Sequence, residues 1–305
     1  MNRLWLGVVL VASLCASCGR EPAQRPQAGG KVKVFVTVLP EAYFVHRIGG
    51  EHVEVEALVG PGQNPHTFEV KPKQMATLAE CQLYFSIGFP MEDSLLKKLS
   101  EINADLKVVD VRKDITLLRT EQEGLSEGEP HGGPVHSEEE FDPHVWMNPR
   151  LVKLMASTIC DELKAVDPAH ADDYTMNLRA FHADLDQTDE EIGRELAPLK
   201  GKSFMVFHPA FGYFAQAYGL RQVAIEVEGK EPSARQLAAI IDLAKKNEVR
   251  VVFVEPQFST KSAEAIARQV GAALVPIDPQ AYDYLKNLKD TADKIRQAIE
   301  QPKSL

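Results

Sequence analysis

Residues 167–196 read DPAHADDYTMNLRAFHADLDQTDEEIGREL. Within them Tyr174, Leu178, Phe181, Leu185, Ile192 and Leu196 recur at intervals of three, four or seven, and neither Gly nor Pro intervenes before Gly193. This is the period of a single apolar helical stripe. With Asp167-Pro168 as its opening, the stretch predicts one linking helix over 168–196. A helix of about 25 residues is about 38 Å long at about 1.5 Å per residue, longer than the usual helix of a globular domain. Its place midway along the chain makes it a rigid spine joining two lobes.

Outward from the spine, both halves of the chain follow the same grammar. In the first half Lys31–Val38, Val53–Val59, Cys81–Ile87 and Leu106–Asp110 are alternating or β-branched and predict strands, the first ended by Leu39-Pro40. Tyr43–Ile48, Lys73–Glu80, Met91–Leu99 and Arg150–Val166 predict the helices between and after them. In the second half the strands are Ser203–Phe207, Gln222–Val227, Val251–Val254 and Ala273–Ile277. The helices are Phe211–Tyr218, Ala234–Lys246 with Ser233 as its cap, Ser262–Val270 and Tyr284–Gln301. Strands that alternate with helices need crossover connections and a mainly parallel sheet. The expected fold class is α/β: two open, mainly parallel-sheet lobes, 31–167 and 197–305, joined by one long rigid helix. Between 119 and 141 the pattern gives way to Glu, Gly, Pro and two histidines, which reads as a mobile acidic loop.

The amino terminus reads as an export signal. Arg3 supplies the charge, and Leu4–Leu14 is an almost unbroken apolar run, shorter than the about 20 residues that a spanning helix needs. Small residues before Cys18 suit lipoprotein processing, although Cys15 stands where a leucine is more usual; plain secretion and an uncleaved anchor are the alternatives. Residues 1–18 are read as a signal peptide and 19–30 as a flexible tether. The expected location is extracytoplasmic, with a lipid on Cys18. Without the signal only Cys81 and Cys160 remain, which is no disulfide framework. Both read as small buried residues, a bridge between them being the alternative in an oxidising compartment. A formal net charge of −10 over 305 residues, with no long basic run, argues against nucleic acid as a partner, because phosphate binding needs clustered Lys and Arg.

Ligands of open parallel sheets bind beyond the carboxyl ends of the strands. Four residues sit there. His66 follows the second strand through the turn-rich Gly60–Pro65 loop, and His144 stands where order resumes, in Asp142-Pro143-His144-Val145-Trp146. His208 ends the first strand of the second lobe and Asp278 ends the last. A proline adjoins each, which limits the backbone states of a ligand loop and lowers the cost of ordering it. Three imidazoles and a carboxylate, two from each lobe, make a tetrahedral-capable metal site between the lobes that suits Zn2+. Mn2+ would sooner take more oxygen ligands. Affinity is expected to fall as the histidines protonate below about pH 6.5. Glu255, at the end of a buried strand, is a candidate to hydrogen-bond a ligand imidazole, with Glu228 and Glu69 as weaker ones. Trp146, Phe68 and Phe211 are candidates to keep water from the ion. His46, His52, His170 and His182 read as surface or locally satisfied residues.

These segments, with Glu231-Pro232-Ser233-Ala234-Arg235-Gln236-Leu237, resemble the metal-binding proteins of bacterial ABC uptake systems for zinc and manganese, a group that includes lipoproteins described as adhesins. The resemblance covers Lys33 to Ile299. It implies an extracytoplasmic solute-binding protein that captures Zn2+ and delivers it to the integral membrane subunits of an ABC permease, and that is not an enzyme. It also implies that His66, His144, His208 and Asp278 are the ligands; a monomer is expected. Manganese-selective relatives commonly carry a glutamate at the third ligand, so His208 favours zinc, with a Mn2+ receptor as the alternative. Some zinc-specific relatives instead take a fourth ligand, or a water, near the first histidine, and carry a much longer His-rich loop than this chain, whose loop holds only His131 and His136. Those two either catch zinc weakly or are plainly solvated.

Two readings from other classes compete. A zinc hydrolase would use three histidines, an open coordination position and Glu255 as base, but no His-Glu-x-x-His helix occurs. A surface adhesion protein with a merely structural metal would unfold on losing it.

Overall fold

The computed structural model describes residues 30–119, 141–226 and 232–300. The signal peptide, the tether but for Gly30, Cys18, His131, His136 and Glu228 lie outside them, as does all of the acidic loop but its two ends.

The first sheet is built from β1 (Val32–Val36), β2 (Val53–Ala57), β3 (Leu83–Ser86) and β4 (Lys107–Asp110) in the order β2-β1-β3-β4, with every pairing parallel. Its crossovers carry α1 (Leu39–Gly49), α2 (Pro72–Leu78) and α3 (Pro90–Ile102), and α4 (Pro149–Val166) follows. The 26-residue α5 (Ala171–Leu196) then leads to the second lobe. There β5 (Ser203–Val206), α6 (Gly212–Tyr218), β6 (Arg221–Ala224), α7 (Ala234–Lys246), β7 (Val251–Val254), α8 (Lys261–Val270), β8 (Ala273–Pro276) and α9 (Tyr284–Glu300) follow in turn. The second sheet has the order β6-β5-β7-β8, again all parallel. Each sheet therefore reverses its winding beside its first strand, and a crevice opens there at the carboxyl ends.

One expectation fails locally. Leu39-Pro40 does not merely stop β1; it is the first turn of α1. Proline suits that position because its missing N–H has no partner to lose in a first turn. Glu41 completes the cap, its Oε2 accepting from the Thr37 and Val38 amides at 3.1 Å each.

The strands of the second sheet sort their side chains by the two-residue period. Phe204, Val206 and Phe253 face the larger core, whereas Met205, Phe207 and Val252 face a smaller one under α7 and α8. The larger core does not stop at the lobe boundary. It runs from β1 and β3 through Phe181, Leu185 and Ile192 of α5 to Tyr284, Leu288 and Ile295 of α9. α5 packs on α1, α4 and α9, so it is a wall shared by both lobes rather than a bare rod between them. Cys81 and Cys160 are buried and free. No helix among the described residues is long and apolar enough to cross a membrane.

Candidate metal centre

His66, His144 and His208 converge. One ring nitrogen from each lies within 4.8 Å of the other two, the sole such group of His, Cys, Asp or Glu among the described residues. His208 is two residues past β5 and His144 precedes a 3-10 turn leading to α4. His66 sits in the 3-10 turn Pro65–Thr67, fixed by its amide donating to Asn64 Oδ1 at 2.9 Å.

The rings are aimed by carboxylates. Asp142 Oδ1 accepts from both the backbone amide of His144, at 2.9 Å, and its Nδ1, at 2.7 Å. Gly212 makes room for this carboxylate, since a Cβ there would stand 2.7 Å from Asp142 Oδ2. Glu226 lies against His208 Nδ1. An ionised carboxylate only accepts, so it holds the ring hydrogen on Nδ1 and leaves Nε2 as a bare lone pair. The two Nε2 atoms face each other at 3.3 Å. That equals the edge of a tetrahedron around an ion with N bonds of about 2.0–2.1 Å, which is about 3.3 Å, the zinc–imidazole case. His66 Nε2 is buried and has no hydrogen-bond partner. A cation at the centre satisfies all three nitrogens at once.

The surroundings keep the His66 and His208 imidazoles neutral. Burial, and then His208 and His144 nearby, push His66 down to about 2. Burial followed by His144 holds His208 well below the usual range. Burial raises Glu226 to about 7, and His144 nearby pulls it the other way, toward the ionised form. Proton competition at pH 6.5, expected for ordinary histidines, therefore does not apply to His66 and His208. Aromatic rings exclude water: Phe89 meets His66 edge-on at 5.1 Å, Trp146 meets His144 at 5.2 Å, and Phe258 stacks on His208 at 4.4 Å.

Other expected residues fall elsewhere. Asp278 stands outside the histidine cluster, its Oδ1 accepting from Gln257 Nε2 at 2.7 Å and from the Gln280 amide at 2.9 Å. Glu255 does not meet an imidazole; its Oε2 accepts from the His208 backbone amide at 3.2 Å. Its Oε1 is buried without a hydrogen-bond partner, and the ring partners are Asp142 and Glu226 instead. Phe211 packs on Phe204 in the core, Phe68 is half-buried against that core, and Glu69 is exposed. Phe89 and Phe258 take the shielding role. His52 and His170 stack at 3.8 Å and pair with Asp173 and Asp167, a local arrangement of their own. Asp142 was legible as an Asx turn two residues before a histidine. Glu226 carried no such local signal.

A family model described as ZnuA, zinc-uptake complex component A, periplasmic, matches residues 34–298. The chain belongs to the ZnuA family. This is a family of metal-binding transport receptors, not enzymes. A crystal structure of ZnuA is 43% identical, with a TM-score of 0.80 over 88% of this chain and 99% of that one. A ZnuA deletion mutant with zinc bound is also 43% identical, with a TM-score of 0.79 over 88% of this chain and 98% of its own. The laminin-binding protein of Streptococcus agalactiae, described as bifunctional with adhesin and metal transporting activity, is 27% identical. Its TM-score is 0.76 over 88% of this chain and 100% of that one. The zinc-binding lipoprotein AdcA of Streptococcus pneumoniae (strain ATCC BAA-255 / R6) is 31% identical over 97% of this chain and 63% of the relative. This ZnuA-family chain thus spans less than two thirds of the AdcA length.

Proposed function

We propose that this chain is an extracytoplasmic receptor that captures Zn2+ between its lobes and delivers it to an ABC-type permease. His66, His144 and His208 are the nitrogen ligands, and Asp278 supplies the fourth when the ion is in place. The observation that carries this reading is the pair of carboxylate-aimed Nε2 atoms at 3.3 Å beside the unpartnered His66 Nε2. Family membership and zinc-named relatives support zinc over manganese. A nitrogen-rich donor set points the same way, since Mn2+ prefers oxygen. A lipid on Cys18 tethers the receptor near its permease, and the receptor acts as a monomer.

Competitive titration of metal-free protein against a chelator tests the site. His66→Ala, His144→Ala and His208→Ala are each expected to weaken zinc binding by at least about 100-fold, the size of effects on metal sites. His131→Ala/His136→Ala is expected to change it less than threefold, roughly within the scatter of surface changes. Wild-type zinc affinity in His144→Ala rules the reading out. Zinc-dependent cross-linking to the permease subunits tests delivery.

A further inference from the structure

The segment after β5 serves both halves of the site. His208 belongs to the second lobe, yet Gly212 and Tyr213, shortly after it, meet Asp142 of the first. The Tyr213 hydroxyl is used in both directions. It donates to the Asp142 carbonyl at 3.1 Å and accepts from the Leu118 amide at 2.9 Å. Leu118 and Asp142 are themselves joined, the Asp142 amide donating to the Leu118 carbonyl at 2.9 Å, with the Arg119–Phe141 bridge beside them. Burial pushes Tyr213 up to about 12, so the hydroxyl keeps the hydrogen that it gives to Asp142. Gly212 shapes the same contact, because a Cβ there would displace Asp142 Oδ2. Asp142 in turn accepts from the amide and Nδ1 of His144. The two faced imidazoles are thus aimed differently. Glu226 holds His208 from within the second lobe, whereas the carboxylate that holds His144 has its backbone tied to the opposite lobe.

We propose that Tyr213, with Gly212 beside it, is a positioning residue for zinc binding: it pins Asp142 across the lobe boundary and so sets the aim of the His144 ring toward His208. The inference rests on the zinc reading for its consequence and on the metal-free contacts for its geometry. His144 and His208 present their Nε2 atoms to each other at 3.3 Å from opposite lobes. A binding constellation works only when its members are held to within about 0.5 Å. Neither lobe alone can hold that spacing, and Tyr213 gives the first lobe's carboxylate a fixed reference in the second. A hydroxyl that merely braced the Leu118–Asp142 pairing would hold backbone without governing the ring.

The test uses the full chain freed of metal, as wild type, Tyr213→Phe, Gly212→Ala, Asp142→Asn and the Tyr213→Phe/Asp142→Asn double variant. Nitrogen–hydrogen couplings in the imidazole rings, read by NMR at pH 8, report which ring nitrogen of each histidine carries the hydrogen. Chelator competition gives the zinc affinity. In wild type His144 and His208 are both expected to carry it on Nδ1. In Tyr213→Phe the His144 signal should become that of a mixture of the two ring forms, while the His208 signal stays. Zinc affinity should fall by about tenfold, as it does for changes behind metal ligands. Adding Tyr213→Phe to Asp142→Asn should cost nothing further, because the two act through one carboxylate. Gly212→Ala pushes on that carboxylate directly and should give the same change at His144 alone. An unchanged His144 signal in Tyr213→Phe overturns the proposal, as does an equal change at His208 or an equal loss of affinity with Asp142→Asn in place. If Tyr213→Phe does not fold, Gly212→Ala decides by the same signals. His144→Ala is read separately: zinc binding that survives it removes the zinc reading, whereas the ring signals of the metal-free chain are read without any ion.

Discussion

At the residue scale, the centre depends on how each imidazole is aimed as much as on having three of them. Asp142 and Glu226 fix which nitrogen faces the cavity, and neither is among the expected ligands. Asp142→Asn and Glu226→Gln are therefore expected to weaken zinc binding by about 10–100-fold while the protein stays folded; unchanged affinity in both variants would show that the rings are held by packing alone. The pH dependence follows from burial. Three free histidines would make zinc affinity fall by three protons' worth per pH unit below about 6.5. His66 is held near 2 and His208 well down, so both are already neutral across that range. The logarithm of zinc affinity between pH 7 and 5 should fall with a slope well under three, measured with a chelator of known protonation. A slope of three contradicts the neutral, buried rings. His66 also links to stability. Its folded value lies below the free-chain value of about 6.5, so the unfolded chain takes up a proton first and metal-free stability falls as pH drops below about 6.5.

At the element scale, the strand–helix alternation was legible because β-branched runs and Gly or Pro stops are local signals. Elements such as α7 and β7 occupy the expected residues, and α7 carries the expected Ser233 cap. The start of α1 was misread because Leu39-Pro40 looks alike as a strand end and a helix start. Glu41, which reaches back to two amides, decides between them. That carboxyl is fully buried, its Oε1 has no partner, and burial with Glu92 nearby raises it well above the usual range. For a raised carboxyl the sign is opposite to that of His66: its contribution is complete below about pH 4.5 and is lost as pH rises through the folded value. Glu41→Gln keeps an oxygen for the two amides and drops the charge. It is expected to stabilise the metal-free fold at pH 8 by roughly 1 kcal/mol or more, the equivalent of about one pKa unit, and to do little at pH 4. Equal effects at the two pH values, read from urea midpoints, would mean the buried charge is not the cause.

At the scale of the whole molecule, α5 and the core that runs through it join the two lobes by apolar packing. Tyr43, Phe44 and Phe181 of the first lobe and spine meet Tyr284 of α9 in one aromatic cluster, with Phe44 and Tyr284 at 4.9 Å. Opening the lobes would expose that surface to water, which burial of apolar area opposes. Zinc is therefore expected to order side chains and loops rather than swing lobes. The radius of gyration of metal-free and zinc-loaded protein should agree within about 1 Å by solution scattering, the scale of rigid partners. A larger contraction points to a hinge. The metal-free chain should also remain folded, because its core does not need the ion; far-UV circular dichroism after chelation checks this, and collapse of the signal would favour a structural metal.

The sequence by itself determined the alternation of strands and helices, the long helix between two lobes, and the three proline-flanked histidines as ligand candidates. Those are short-range facts, set by side-chain period and by the residues that start and stop elements. Only the tertiary structure decided which carboxylates hold the rings, that Glu255 serves a backbone amide, and that Asp278 is held by Gln257 outside the cluster. His208 and Glu226 are 18 residues apart and His144 and His208 are 64 apart. Contacts at such separations are made by how two sheets pack on a shared helix, and no local periodicity encodes that.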